Sequence, residues 1–208
     1  MDNRGCERST PDVIRGWLAC ANDRVWAEGL LWYYDAHDYA KSLANQFNIQ
    51  LCQSAAVISV LSPGCAWTTN KDDAMRVMET WNRGQGPHNI ICTTYKPQVR
   101  KAFEILSSPG TPAEMVPMIG TPNARKTIAF YWNILEPDDW DYVTIDRWIS
   151  RAIMLNAEAK HPSKTVYHKV QAAFKDVASG LNITPCQCQA IVWLVVRDCG
   201  LMGQEYLL

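Results

Sequence analysis

The sequence lacks long hydrophobic runs, an excess of either charge and the closely paired cysteines that bind zinc. Its 208 residues carry 20 basic and 21 acidic side chains, a formal net charge of −1, which excludes a uniformly basic nucleic-acid binder. Arg, Asp, Gln or Pro interrupts every apolar stretch before it reaches the roughly 18 residues of a membrane-spanning helix. The polar N-terminus leads into no apolar signal segment, so we predict a cytoplasmic protein without a membrane partner.

The eight cysteines show no metal-binding pattern. Five stand singly among apolar residues, namely Cys6, Cys20, Cys52, Cys65 and Cys92. Such isolated cysteines are typical of reduced, buried thiols in a cytosolic protein. The other three are Cys186, Cys188 and Cys199. A helix would turn Cys186 and Cys188 to different sides, so they suit no shared metal ion, and we predict no metal site.

Apolar residues recur at helical spacing along most of the chain. Between Trp26 and Phe47 they return every three to five residues, which favours a helix over a strand, and no useful stretch alternates with period two. The other predicted helices cover residues 50–61, 71–81, 95–106, 125–135, 145–155, 166–178 and 185–196. We therefore predict an all-α, two-lobed helical fold.

Thr-Pro pairs mark four predicted helix starts. Thr is a favoured N-cap and Pro suits the first helical turn. The pairs are Thr10-Pro11, Thr111-Pro112, Thr121-Pro122 and Thr184-Pro185. At Thr111 the capping box is complete, because Glu114 follows three residues later.

The segment around Gly120 predicts a helix-hairpin-helix motif. The helix that starts at Thr111 ends near Gly120, a short polar turn follows, and the next helix begins near Asn123. Backbone N–H groups at a helix start attract anions, and Arg125 and Lys126 add positive charge. The surrounding residues 83–126 hold six basic and two acidic side chains. This turn is therefore a candidate site for a nucleic-acid phosphate.

Asp146 is the second candidate for chemistry. It lies between apolar residues, where a carboxylate is unfavourable unless it caps a helix or takes part in a reaction. Asp is also a favoured N-cap, so this residue could simply begin the helix that follows. Both interpretations stay open from the residues alone.

Together these residues resemble the helix-hairpin-helix DNA glycosylases of the endonuclease III type. Arg125-Lys126-Thr127 matches the Arg-Lys-Thr of the family's hairpin signature. Asp146 follows Lys126 by twenty residues, where the family has some eighteen, and Arg151 stands five further on, as in the family's pattern. Upstream, Val60-Leu61-Ser62 with Asn70 and Ala74 resembles the segment that opens the family's six-helix barrel. The resemblance covers roughly residues 50–155.

The resemblance implies a domain organisation and a DNA partner. Residues 1–208 form a single two-lobed unit, in which residues 50–120 are a barrel-like lobe and residues 111–155 carry the hairpin and the catalytic segment. The N- and C-terminal helices pack as the other lobe. The protein is expected to be a monomer that acts on duplex DNA in a bacterial or phage-infected cell.

The resemblance also implies roles for individual residues. Asp146 would stabilise oxocarbenium-like charge on the sugar, and Lys126 would attack the sugar carbon and form a Schiff base. The DNA-binding residues would be Gly120, Thr121, Asn123, Ala124, Arg125, Thr127 and Arg151. The pocket for an extruded base would be lined by Ser62, Trp67, Tyr131, Trp132 and Trp148.

The chain departs from the family pattern in ways that leave several functions open. Two extra residues separate Gly120 from Lys126, and Asn123 or Ala124 replaces the hairpin's second glycine. Gly64 stands where the family carries Gln, and Trp148 replaces a His. The family's iron–sulfur cysteine spacing is absent, so we predict no cluster and no cofactor.

Four functions are compatible with this sequence. The first is a DNA glycosylase, with or without AP-lyase activity, that excises a modified or damaged base. The second is a phage-type enzyme of the same fold that hypermodifies a base in place, which the acidic residues 136–141 and the missing Gln fit somewhat better. The third is a non-catalytic DNA-binding protein, and the fourth is an all-α interaction protein whose Arg-Lys-Thr match is accidental.

Overall fold

The computed structural model describes residues 9–154 and 162–199. These residues form α-helices, one short 3-10 helix at Pro87–Asn89 and no strand, which confirms the all-α prediction. The α-helices are α1 (Thr10–Ala19), α2 (Asp23–Phe47), α3 (Leu51–Leu61), α4 (Trp67–Asn82), α5 (Lys96–Leu106), α6 (Pro112–Ile119), α7 (Arg125–Leu135), α8 (Arg147–Met154), α9 (Lys164–Leu181) and α10 (Pro185–Asp198). None of these helices is long and apolar enough to cross a membrane.

Two of the four Thr-Pro predictions are confirmed. Thr184 is the N-cap of α10 and its hydroxyl accepts the N–H of Gln187 at 3.3 Å. Thr111 precedes α6, and its N–H donates to the Glu114 carboxylate at 3.1 Å in the predicted capping box.

Of the other two Thr-Pro predictions, the first has the helix start right and the N-cap wrong, and the second is wrong. At the N-terminus Ser9, not Thr10, is the cap, because its hydroxyl accepts the N–H of Asp12 and places Thr10 inside α1. Thr121 does not start a helix, because its carbonyl accepts the N–H of Ala124 at 2.8 Å and closes a turn ahead of α7. Leu155, the predicted end of α8, lies outside the described residues.

The chain divides into two compact units. The first contains the described residues up to Trp32 and those from Ile145 on, which supply α1, the start of α2, α8, α9 and α10. The second runs from Tyr33 to Thr144 and contains the rest of α2 with α3 to α7.

In the second unit α3 is the central helix. It packs against α4, α5, α6 and α7, and its residues from Cys52 to Leu61 are all buried because nearly all are apolar or small. Gln53 is the one long polar side chain among them. Its amide nitrogen donates to the carbonyls of Ile105 and Ser108, each at 3.1 Å, so it satisfies acceptors where α5 ends.

In the first unit α9 and α10 pack against each other and against α1, and α8 packs on α10 and α1. The indole N–H of Trp17 in α1 donates to the carbonyl of Ala152 in α8 at 3.1 Å. Phe174, Ile14 and Ile191 are completely buried in this unit. Its core therefore joins segments from both ends of the sequence.

The cysteines differ in exposure. Cys52, Cys186 and Cys188 are buried, and Cys65 and Cys92 are partly buried. Cys20 is exposed, which corrects the prediction, because it is the C-cap residue of α1. Cys6 lies outside the described residues. Among the described residues no three His, Cys, Asp or Glu side chains are grouped to hold a metal ion.

Candidate functional site

The turn between α6 and α7 depends on a close contact at Gly120. The backbone of Gly120 is extended, with φ of 167°, so conformation does not require glycine there. The requirement is steric, because a Cβ on Gly120 would lie 2.6 Å from the Cβ of Ala124. Thr121 and Asn123 between them are exposed. The turn can therefore approach a ligand through its backbone and its short polar side chains.

Two cations border this turn. The Lys101 ammonium, from α5, donates to the carbonyl of Ile119 at 3.0 Å. The Arg125 guanidinium folds back to 3.4 Å from the Pro122 carbonyl and from the Asn123 side-chain oxygen. Ala124, the N-cap of α7, has no side chain that could accept the first N–H groups of that helix. Positive side chains and a helix start thus coincide.

Lys126 lies in the first turn of α7, beside the end of α3. Its ammonium donates to the hydroxyl of Ser62 at 3.1 Å and lies 5.7 Å from the ring centroid of Phe130. Burial raises the pKa of the nearby Cys65 thiol to about 11, although the Lys126 charge acts in the opposite direction. At neutral pH this thiol is therefore protonated and does not compete with the amine as a nucleophile.

An aromatic row, consisting of Phe130, Trp67 and Tyr39, continues from Lys126. The rings meet edge to face, with centroids 6.4 Å apart from Phe130 to Trp67 and 6.2 Å apart from Trp67 to Tyr39. The Lys71 ammonium lies 5.6 Å from the rings of both Tyr39 and Trp67. A lysine therefore stands at each end of this row, in which Tyr39 and Trp67 are partly exposed and Phe130 is buried.

Tyr39 contributes to the row as a neutral phenol. Burial raises its pKa to about 12, and the negative charge of Asp72 acts in the same direction. Its hydroxyl donates to the carbonyl of Lys71 at 2.8 Å. The hydroxyl is thus fixed on the backbone of α4, which orients the ring.

Two of the predicted pocket residues lie in a different environment. Tyr131 is completely buried, its hydroxyl donates to the carbonyl of Pro112 at 3.3 Å, and burial raises its pKa well above the usual range. Trp132 stacks on Tyr142, with centroids 5.5 Å apart and ring planes within 13°. Tyr131 is therefore a core residue here and offers no open face to a base.

Asp146 belongs to the first unit, where both of its carboxylate oxygens accept hydrogen bonds. Oδ1 accepts the N–H of Ile149 at 2.8 Å, so Asp146 caps α8. A helix cap was one of the two interpretations that the sequence left open for this residue. Oδ2 accepts the indole N–H of Trp193 at 3.2 Å. The same carboxylate thus caps α8 through one oxygen and joins α8 to α10 through the other.

Trp148 and Arg151 also belong to the first unit. Trp148 is buried, and the guanidinium carbons of Arg147 and Arg151 lie 5.0 and 4.8 Å from its ring centroid. Such stacking holds the two arginines in place at the ring. Trp148 therefore serves here as a support for arginines.

The structure thus brings some predicted residues together and not others. Ser62, Lys126 and Trp67 share one surface of the second unit. Phe130 was missed, although its position four residues after Lys126 on one helix was a usable signal. Trp193 was also missed, and no spacing points to it, because 47 residues separate it from Asp146.

The described residues define an all-α protein with a lysine-containing aromatic surface and a capped, hydrogen-bonded aspartate. The chain belongs to DUF7178, a family of unknown function, whose model matches residues 2–199. No curated protein and no solved structure matches the chain.

Proposed function

We propose that the protein processes bases in DNA, as a glycosylase that extrudes a modified or damaged base and cleaves its glycosidic bond. The observation that carries the proposal is the partly buried amine of Lys126. This residue lies in the first turn of α7, the helix that follows the Gly120 turn, and its amine donates a hydrogen bond to Ser62. A primary amine beside an anion-attracting turn is suited to attack a sugar within a phosphate backbone.

In this proposal α6, residues 120–124 and α7 act as a helix-hairpin-helix that grips the DNA backbone. Support comes from the contact of Gly120 with Ala124, which keeps the turn tight, and from the positive charges of Lys101 and Arg125. Phosphate contacts of this kind position a protein on DNA without reading its sequence.

The aromatic row is the proposed surface for the extruded base. Stacking on aromatic rings accepts any base, because every base has a π face. In this row Trp67 and Tyr39 are partly exposed and Phe130, beside Lys126, is buried, while the completely buried Tyr131 drops out of the pocket. Ser62 acts as the hydrogen-bond partner of the amine.

The proposed chemistry follows from the two ionisable groups. The neutral amine of Lys126 attacks C1′ of the sugar, the glycosidic bond breaks, and the base leaves with the bonding electrons and takes up the proton that the amine loses. The C1′–O4′ bond of the sugar ring then breaks, O4′ takes up the second proton of the amine, and a Schiff base forms at C1′. Loss of a C2′ proton from this Schiff base eliminates the 3′ phosphate, which is the lyase step. For Asp146, in the first unit, the resemblance to the glycosylases implies a role in stabilising the positive charge that develops on the sugar.

A second candidate is a DNA-binding protein without catalysis. The observation that favours it is the pair of hydrogen bonds to Asp146, one of which is an ordinary helix cap. In this case the hairpin and its cations bind phosphates and Asp146 only stabilises α8.

Mass spectrometry of nucleosides and free bases decides between the candidates. Wild-type protein, Asp146→Asn and the matched surface variant Asp35→Asn are incubated with duplexes carrying different modified bases. Free base released by wild type and Asp35→Asn, but not by Asp146→Asn, supports the glycosylase. An altered nucleoside in an intact strand identifies in-place modification, and salt-dependent binding without any product leaves the binding protein.

A further inference from the structure

The carboxylate of Asp146 is held by two donors that come from different helices of the first unit. The backbone N–H of Ile149, in α8, lies 2.8 Å from Oδ1. The indole Nε1 of Trp193, in α10, lies 3.2 Å from Oδ2. If only the N–H of Ile149 held the group, the carboxylate could rotate about its Cβ–Cγ bond. The second donor, on the other oxygen, fixes the plane of the group.

The ring of Trp193 is itself held in place. The guanidinium carbon of Arg197 lies 5.6 Å from its centroid, and the Trp32 ring lies 6.2 Å away at an angle of 58°. Arg197 is in turn paired with Asp198 at 3.0 Å and with Glu28 at 3.5 Å. The donor on Asp146 is therefore a rigid group and not a freely rotating side chain.

We propose that Trp193 is a positioning residue for Asp146, which orients the carboxylate toward the reacting sugar. An indole N–H can only donate a hydrogen bond, so the contact of Trp193 with Oδ2 has one possible direction and holds that oxygen as the acceptor. This inference rests on the proposed glycosylase function. It adds α10 to the elements that form the catalytic apparatus, although no motif in that helix suggests such a role.

Trp193→Phe tests the inference, because it replaces the two-ring indole by a single benzene ring and so removes the N–H donor. The matched control is Trp17→Phe in the same unit. It also removes an indole N–H donor, whose hydrogen bond is of similar length, 3.1 Å, but whose acceptor is the carbonyl of Ala152. We expect Trp193→Phe to lower the single-turnover rate of base release about ten- to hundredfold, because a misplaced catalytic group has effects of this order. DNA affinity should stay within about twofold, since only orientation is affected. Trp17→Phe should release base at the wild-type rate.

A measurement independent of activity accompanies the rates. In protein labelled with 15N-tryptophan, the indole resonance of Trp193 should move upfield and its hydrogen should exchange faster in Asp146→Asn. The Trp17 resonance should stay unchanged. These spectra report the hydrogen bond even if Trp193→Phe folds poorly.

The possible outcomes separate the inference from the function it rests on. Equal rates for Trp193→Phe and Trp17→Phe, or an unmoved Trp193 resonance in Asp146→Asn, overturn the positioning role while base release by wild type stands. If wild type releases no base from any duplex, the proposed function fails and the positioning role fails with it. The spectra then establish only a structural hydrogen bond.

Discussion

The ammonium of Lys126 and the hydroxyl of Ser62 lie 3.1 Å apart, although 64 residues separate them in the chain. Ser62 directly follows α3 and Lys126 lies in the first turn of α7. The centroid of the Phe130 ring lies 5.7 Å from the amine nitrogen. The hydrogen bond and the ring contact hold the amine in a fixed place in the second unit.

Lys126→Arg tests the amine as the nucleophile. Arg keeps the charge but cannot form a stable Schiff base, so borohydride trapping of a DNA–protein adduct should disappear while DNA affinity changes little. Lys71→Arg is the matched control, since Lys71 also stands over aromatic rings of the same row. Trapping that survives Lys126→Arg, or is lost equally in Lys71→Arg, would exclude Lys126 from this role.

Gly120→Ala tests the turn as a backbone grip on DNA. The new Cβ would meet the Cβ of Ala124 at 2.6 Å and force the turn open. Fluorescence anisotropy should show an affinity for duplex DNA about five- to tenfold weaker, with a lower salt dependence, because phosphate contacts are lost. The double variant Gly120→Ala, Ala124→Gly removes the clashing atom and should recover affinity. If the double variant binds as weakly as the single one, the steric account of the turn is wrong.

Gly29→Ala should destabilise the first unit, against the usual preference of helices for alanine. Its Cβ would lie 2.4 Å from Cγ1 of Ile191 and 2.9 Å from the Ile191 backbone, so the α10 backbone must shift. We expect a loss of about 1–3 kcal/mol in the free energy of unfolding, measured by urea denaturation.

Gly16→Ala is the matched control for that prediction. Gly16 lies in α1 of the same unit, and a methyl group added there would meet no atom within 4 Å. Alanine should therefore stabilise the helix there by about 0.5–1 kcal/mol. Effects of the same sign at the two positions would show that the contact with Ile191 does not decide the outcome.

Local patterns predicted the helices well because each depends on residues close in sequence. The spacing of apolar residues between Trp26 and Phe47 is satisfied by α2, and Thr184 caps α10 within three residues. The errors are also local: Ser9 competes with Thr10 for one cap, and the turn at Thr121 closes before a helix can start.

The candidate site was harder to predict because its contacts span long stretches of chain. The resemblance to the glycosylases points to Ser62 and Lys126 separately, and no periodicity in the sequence indicates that their side chains meet. Trp193 reaches Asp146 only because α10 packs against α8. Tyr131 reads as a pocket residue by type, yet packing of α7 on α3 turns it into the core.

Arg76→Ala should be unusually destabilising for a surface arginine. Its partner Asp73 is completely buried while Arg76 is half exposed, and Asp73 also accepts the N–H of Thr93 at 2.8 Å. Removing the arginine leaves a buried carboxylate with fewer donors, which lowers the free energy of unfolding by about 2–4 kcal/mol.

Arg83→Ala is the control, because Arg83 and Glu79 form an exposed ion pair 3.6 Å apart. Its free energy of unfolding should fall by about 0.5 kcal/mol or less. Similar values from thermal or urea unfolding for both variants would contradict the account.

Asp198 should make the stability of the first unit depend on pH in acid. Burial raises the pKa of Asp198, but hydrogen bonds from Arg197 and Arg24 outweigh it and lower the pKa below its usual value. A carboxyl whose pKa is lowered by folding adds stability above its unfolded pKa of about 4, and that stability is lost as the pH falls through the folded pKa.

Solvent screens this partly exposed group, so Asp198→Asn should lower the free energy of unfolding by about 1 kcal/mol or less at pH 7. The difference from wild type in urea unfolding should shrink toward zero between pH 5 and about pH 2. At pH 7 the difference should be smaller in an Arg24→Ala background, because the 2.7 Å hydrogen bond from Arg24 is gone. A difference that stays constant with pH would show that these arginines do not lower the pKa of Asp198.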